Sequence, residues 1–380
     1  MHVERSQAQK RSSVAAVATM AVFLASSGCA SIGPGTIDRD RIGYDQAISD
    51  SWKQQMLLNL VKLRYGDTPV FLDVASVINS YSLDAQLDLS ASFQGGPSAL
   101  QTGTVGPSLH YSDRPTITYN PLLGEHFTRS LLTPLSPVVV FSMIQSGWRA
   151  DAVFRITVSA ANGVRNRFGG RAGDVDLDFY RLTESLRKVQ ASGGIGIRLD
   201  HDSSDNNGRS SSSSSTAGAQ REVATLVLAH KGADEESEHE FREIRRILGL
   251  KDGREFRIAY GLSQANNGEV VLLTRSLLEI LFDVATWIEV PPAHVAEQRV
   301  RATSGFEAET ALGIRPLLKV SSGKDRPKDA FVALRYKDSW FWVDDRDYAS
   351  KQAFSFLLLL SSLTDAGQGK QLPILTIPAG

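Results

Sequence analysis

Ile195-Gly196-Ile197-Arg198-Leu199 and Glu222-Val223-Ala224-Thr225-Leu226-Val227-Leu228-Ala229 are two β-rich segments held apart by a low-complexity run, Asp200 to Gln220. The run contains Asp205-Asn206-Asn207-Gly208 and six consecutive serines, Ser210 to Ser215. It has too little apolar surface to offset its ordering entropy, so residues 200–221 read as a disordered Ser-rich loop. Two roles are open for it: a linker between domains, or a long loop between paired strands.

The segments on either side settle the fold class. Asp176 to Ala191 carries Phe179, Leu182, Leu186 and Val189 at helical spacing, and Gly193-Gly194 ends it. Glu235 to Leu248 places Phe241, Ile244 and Leu248 on one face. Its acidic residues come early and Arg245-Arg246 late, which suits the helix dipole. Helix, strand, strand, helix is an α+β order, with antiparallel sheet segments covered by helices.

Further toward the C-terminus, Arg254–Tyr260 and Glu269–Leu273 predict a hairpin about Asn266-Asn267-Gly268. Ser276 with Glu279 is a capping box opening a helix to Ile288, stopped by Pro291-Pro292. Strands are expected at Pro316–Val320, Ala330–Tyr336 and Trp340–Val343, with a short terminal strand at Leu372–Ile377. Between them, a helix from Asp345 to Leu363 is apolar nearly all round and should be buried.

Toward the N-terminus, Ile48, Trp52, Met56, Leu60 and Leu63 mark one face of a helix over Tyr44–Arg64, with Gly66 and Pro69 ending it. Phe71 to Tyr119 turns β-rich. Leu87, Leu89, Ala91 and Phe93 alternate with Asp88, Ser90 and Ser92. Gly95-Gly96-Pro97 and Gly103 to Pro107 break this pattern, so Gln94–Pro107 reads as a mobile loop, followed by a short strand at Thr116–Tyr119. Pro121 to Asn162 reads as three helical pieces: a stripe of Leu123, Phe127 and Leu131, a buried Val138–Gln145, and Ala150–Asn162 with Asn162-Gly163 as its cap. The last piece also carries strand-forming β-branched residues.

The search for chemistry finds little. Nucleophilic hydrolysis has no Gly-x-Ser-x-Gly elbow to rest on. Beyond residue 28 the histidines are His110, His126, His201, His230, His239 and His294, and no two share a metal-ligand spacing. Neither a metal nor a cofactor is expected. The best catalytic candidates are carboxylates. Asp344 and Asp345, with Asp347 close behind, follow the aromatic strand Trp340-Phe341-Trp342, an arrangement that sugar-cleaving sites use. Glu125-His126 is a second acid/base candidate. Against this stands helix capping, which uses the same aspartates without any reaction. Arg165, Arg167 and Arg171 in a glycine-containing loop form a candidate anion cradle, weighed against a solvated turn.

The first thirty residues are more telling. Arg5, Lys10 and Arg11 precede an apolar run, Val14 to Ala25, too short to span a membrane, where about 20 residues are needed. Ser26-Ser27-Gly28-Cys29-Ala30 follows, and Cys29 is the chain's one cysteine. This segment resembles the lipobox of bacterial lipoproteins, with Ser26 where the pattern carries an aliphatic residue. The resemblance covers residues 1–31. It implies cleavage before Cys29, lipidation of Cys29, and a lipid-anchored chain in the cell envelope. Ala30, by the sorting habit of that class, points to the outer membrane, facing the periplasm.

The expected organisation is a signal peptide over 1–28, a tether over 29–41, and a helix-rich α+β part over 42–199. The loop 200–221 and a C-terminal α+β part over 222–380 follow, the two parts forming one domain or two. A mature chain of 352 residues, with 38 basic and 41 acidic side chains, offers no electrostatic case for nucleic acid. The composition and the implied anchor together suggest a non-enzymatic binding or assembly module with an envelope protein partner. An envelope hydrolase acting on glycan is the alternative.

Overall fold

The structure, a computed structural model, describes residues 32–78, 81–92, 102–113, 116–122, 125–166, 176–201, 222–228, 235–262, 266–303 and 316–365. In chain order these form α1 (Ile32–Arg64), β1 (Leu72–Ile78), β2 (Tyr81–Ser92), β3 (Thr102–Asp113) and β4 (Thr116–Pro121). Then come α2 (Glu125–Leu132), α3 (Pro137–Gln145), α4 (Ala150–Thr157), β5 (Val158–Ala161), β6 (Val164–Arg165) and α5 (Leu177–Ala191). Next are β7 (Ile195–His201), β8 (Glu222–Leu228), α6 (Glu235–Leu248), β9 (Glu255–Tyr260), β10 (Glu269–Thr274) and α7 (Leu277–Ala285). The chain continues through α8 (Pro292–Ala296), β11 (Ser321–Gly323), β12 (Ala330–Tyr336), β13 (Ser339–Asp344) and α9 (Tyr348–Asp365). The fold is α+β.

The central sheet has the strand order β6-β5-β10-β9-β8-β7. It takes three strands from before the serine run and three from after it. Strands β7 and β8 pair directly, His201 against Glu222, so residues 202–221 join neighbouring strands of one sheet. The serine run itself lies outside the described residues, as do the signal segment and the terminal strand expected at Leu372–Ile377.

Helices α5 and α6 contact one another, with fully buried Phe179, Leu182, Val189, Phe241 and Ile244. Between α5 and β7, Gly194 is required: a Cβ there would lie 2.9 Å from Val189 Cγ1 and 3.2 Å from Phe241 Cζ. At its start α5 is capped by Asp176, whose carboxylate accepts from Asp178 N–H. Lys188 Nζ reaches Glu240 Oε1 at 2.8 Å, tying α5 to α6. Burial pushes the Glu240 carboxyl up, but hydrogen bonds from Lys188 and Ser185 outweigh it and hold the group below its usual range.

A buried ion pair joins Arg275, just past β10, to α7. Arg275 Nε lies 3.3 Å from Asp283 Oδ2, both side chains nearly inaccessible. Arg275 Nη1 donates to the carbonyls of Arg155 and Ile156, at the C-terminal end of α4. Those carbonyls carry the negative end of the helix dipole, so a cation belongs there. The C-terminal sheet, in the order β11-β13-β12, is followed by α9, which buries Phe354, Phe356, Leu357 and Leu360.

Five sequence expectations are corrected here. The helix expected at Tyr44 is already formed at Ile32, the first described residue, and runs through residues 32–41 of the expected tether. Its core face starts at Met56, and Trp52 is 47% exposed. The helix expected over Ala150–Asn162 stops at Thr157; Val158–Ala161 pairs with β10 as a strand, and Asn162 turns at φ 45°. Strands β9 and β10 are parallel, not a hairpin. The intervening residues carry the chain back to the start of β9, where Lys251 N–H donates to Asn267 O and Arg257 N–H to Gly268 O. The strand expected at Pro316–Val320 forms directly after that span, at Ser321–Gly323, although Leu318 and Val320 are buried. Finally, Gln94–Pro107 is not all loop, since β3 starts at Thr102 and continues through Gly103 and Pro107.

Candidate functional site

The aspartates after β13 are engaged in local structure. Asp344 Oδ1 accepts from Arg346 N–H at 2.8 Å. Asp345 pairs with Lys351 at 2.7 Å. Asp347 is the residue that opens α9, accepting from Ser350 N–H and from its hydroxyl. These are turn and capping contacts. Glu125 pairs with Arg129 one turn on, both side chains largely exposed. Among the described residues no hydrogen bond or ion pair joins Glu125 to Asp344 or Asp345. His126 lies within α2. Arg165 is exposed on β6, and its backbone N–H donates to Asp176. Arg167, Arg171 and Cys29 lie outside the described residues. No cluster of metal-ligating side chains occurs among the described residues.

Two apolar cavities flank α9. One, of about 60 Å³, is lined by Trp148, Val153, Ile156, Ala353 and Phe356. The other, of about 10 Å³, is lined by Ile156, Val284, Leu318 and Leu357. Substrate sites run to several hundred Å³, and both cavities are small beside that.

A set of interacting titratable groups surrounds Tyr65, just past α1. Its hydroxyl is hydrogen-bonded to His294 Nδ1 at 2.7 Å, and its ring meets His294, Tyr336 and Phe341 edge-on. Tyr336 donates to Asp67, which also pairs with Lys337 at 3.0 Å. Burial pushes both tyrosine hydroxyls up. Asp67 is held low, first by the Tyr336 hydrogen bond and then by that of Lys337. Lys337 and Asp338 are the two central residues of the β12–β13 turn, at φ 42° and 67°. A lysine in that region costs about 1–2 kcal/mol, and the turn brings its ammonium over the Tyr65 ring. The set joins the end of α1 to the C-terminal sheet. These contacts make the set a structural clasp.

The remaining candidate is the ribbon formed by β1 to β4. Strands β2 and β3 pair over twelve residues each without a shift, from Tyr81↔Asp113 to Ser92↔Thr102. Strands β1 and β4 pair in the same phase: Ile78 faces Thr116, and three residues further Tyr81 faces Asp113, three residues back. Neither pair has a third strand among the described residues. Alternate residues of a strand share a face, so the register assigns two faces. One carries Tyr81, Leu83, Ala85, Leu87, Leu89 and Ala91 with Gly103, Val105, Pro107, Leu109, Tyr111 and Asp113. The other carries Ser82, Asp84, Gln86, Asp88, Ser90 and Ser92 with Thr102, Thr104, Gly106, Ser108, His110 and Ser112. Reading β2 alone finds the alternation from Leu87 onward. It misses the matching alternation in β3, because Gly103, Gly106 and Pro107 are turn residues by habit.

No family model, no curated protein and no solved structure matches this chain.

Proposed function

We propose that the chain is a membrane-anchored envelope lipoprotein acting as a non-enzymatic assembly module, with the β1–β4 ribbon as its contact element. The observation that carries this reading is a ribbon with no third strand among the described residues and with one face apolar at nearly every position. A two-stranded ribbon alone in water is marginal, so one twelve residues long with an apolar face is built to be completed by something else. The lipobox-like Ser27-Gly28-Cys29 would hold that element near a membrane through acyl chains on Cys29.

A photo-crosslinking residue placed at Ser90, on the polar face beside an edge, tests the contact in intact cells. Adducts of defined mass are expected, and a chain that remains monomeric at every ribbon position removes the reading. Mass spectrometry of the mature N-terminus tests the anchor separately: acylated Cys29 is expected, and a free thiol removes it.

A further inference from the structure

We infer that the ribbon crosses a phospholipid bilayer as one segment of a β-barrel closed by copies of this chain, an inference that rests on the assembly reading above. Four features of the ribbon meet on this conclusion.

The first is length. Strands β2 and β3, one part of the longer β1–β4 ribbon, have twelve residues each; at about 3.3 Å per residue that is about 40 Å, which at a tilt of about 40° rises about 30 Å. The apolar band of a membrane barrel is about 25 Å tall. The second is the apolar face. From Leu83 to Ala91 and from Gly103 to Tyr111 its positions carry no Asp, Glu, Lys, Arg or His. Tyr81 and Tyr111 stand one register step apart at one end of that band, the depth at which barrels place aromatic residues. Asp113 lies beyond them.

The third feature is the opposite face. Its residues are small or polar and include Asp84, Asp88 and His110, with His110 paired in register against Asp84. A water-filled lumen accepts such a face, and hydrocarbon does not. The fourth is the pair of open edges. Unpaired backbone N–H and C=O groups are too costly inside hydrocarbon, so a spanning sheet must close on itself. Among the described residues no third strand pairs with this ribbon, and the inference assigns closure to neighbouring copies of this chain. Barrels start at about eight strands, which at two strands per chain sets a ring of about four copies or more. Pro107 gives β3 one donor fewer.

The test uses the full chain with one added cysteine at a time, at Ala85, Gln86, Leu87, Asp88, Leu89 or Ser90, each carrying an environment-sensitive fluorophore. The unmodified parent provides the background from Cys29. Proteins are reconstituted into phosphatidylethanolamine–phosphatidylglycerol vesicles containing a phospholipid with a mid-chain nitroxide. Quenching by the nitroxide should be severalfold stronger at positions 85, 87 and 89, and quenching by aqueous iodide severalfold stronger at 86, 88 and 90. A second variant, Leu87→Asp, should lose vesicle insertion and dye release while keeping the thermal midpoint of the parent.

Iodide quenching at all six positions with no nitroxide quenching overturns the inference, because the ribbon then stands in water. Protection of positions 85, 87 and 89 from both quenchers also overturns it, because a protein then covers that face. In that case crosslinked oligomers persist and the assembly reading survives. A chain that stays monomeric removes both.

Discussion

The body built on the central sheet and the β1–β4 ribbon obey opposite rules. In the body each strand has neighbours, and Leu226, Phe256, Leu272 and Phe141 are closed off from water. Polar groups inside it are answered locally, as Arg275 is by Asp283 and by the carbonyls of α4. In the ribbon neither strand pair has a third strand among the described residues, and the register gathers apolar residues on one face. The same period of two therefore serves two ends. In the body it decides which residues the chain hides in itself; in the ribbon, on the assembly reading proposed above, it leaves one face for something outside the chain.

That contrast can be broken or sharpened by substitution, and the effects on unfolding free energy are ranked. Asp283→Ala strands the Arg275 guanidinium in the interior and should cost about 3–5 kcal/mol by denaturant titration. Lys188→Met leaves the Glu240 carboxylate buried without its cation and should cost about 1.5–3 kcal/mol. Because Glu240 titrates below its unfolded value, the Lys188 contribution is present above about pH 4.5 and is lost as pH falls through the folded value. The difference between parent and Lys188→Met should therefore shrink in acid; a constant difference would mean that packing alone is at stake.

Gly194→Ala forces a Cβ against Val189 and should cost about 1–3 kcal/mol, read as a lower melting temperature. Tyr336→Phe removes one donor from Asp67 and should cost about 1 kcal/mol. Tyr336 is pushed up in the fold, so its contribution is intact below about pH 10 and is lost above it. Leu87→Asp should change body stability by less than about 0.5 kcal/mol, the range of a surface change, while abolishing assembly. If it unfolds the body instead, the ribbon belongs to the core and the contrast falls.

Helices with a continuous stripe were legible in the sequence. Phe179, Leu182, Leu186 and Val189 lie buried on α5 as their spacing requires, and Ser276 accepts from Glu279 N–H as the capping box demands. What escaped was anything decided at a distance. Asn266-Asn267-Gly268 marks a turn, but the chain cannot announce that β9 already has β8 as its antiparallel neighbour. Val158 is a strand residue because β10 arrives beside it. The aspartates near Trp340 and Trp342 suggested a sugar site by type alone; only coordinates give Asp347 to the start of α9. Half of the ribbon was legible, since β2 alternates cleanly. The other half was hidden by glycines and a proline whose usual meaning is a turn.

The clasp at the end of α1 carries a consequence for timing. Arg64 donates to the carbonyl of Ile288 and to that of Arg301, groups 224 and 237 residues further along the chain. On the other side of the body, Asn162 Oδ1 accepts from Val271, 109 residues away. Loop closure over such spans is slow, because the entropy of bringing the ends together comes before any contact rewards it. A chain emerging from its N-terminus must therefore keep its earliest helix unfastened until almost everything else has been made. The first part to appear is among the last to be secured.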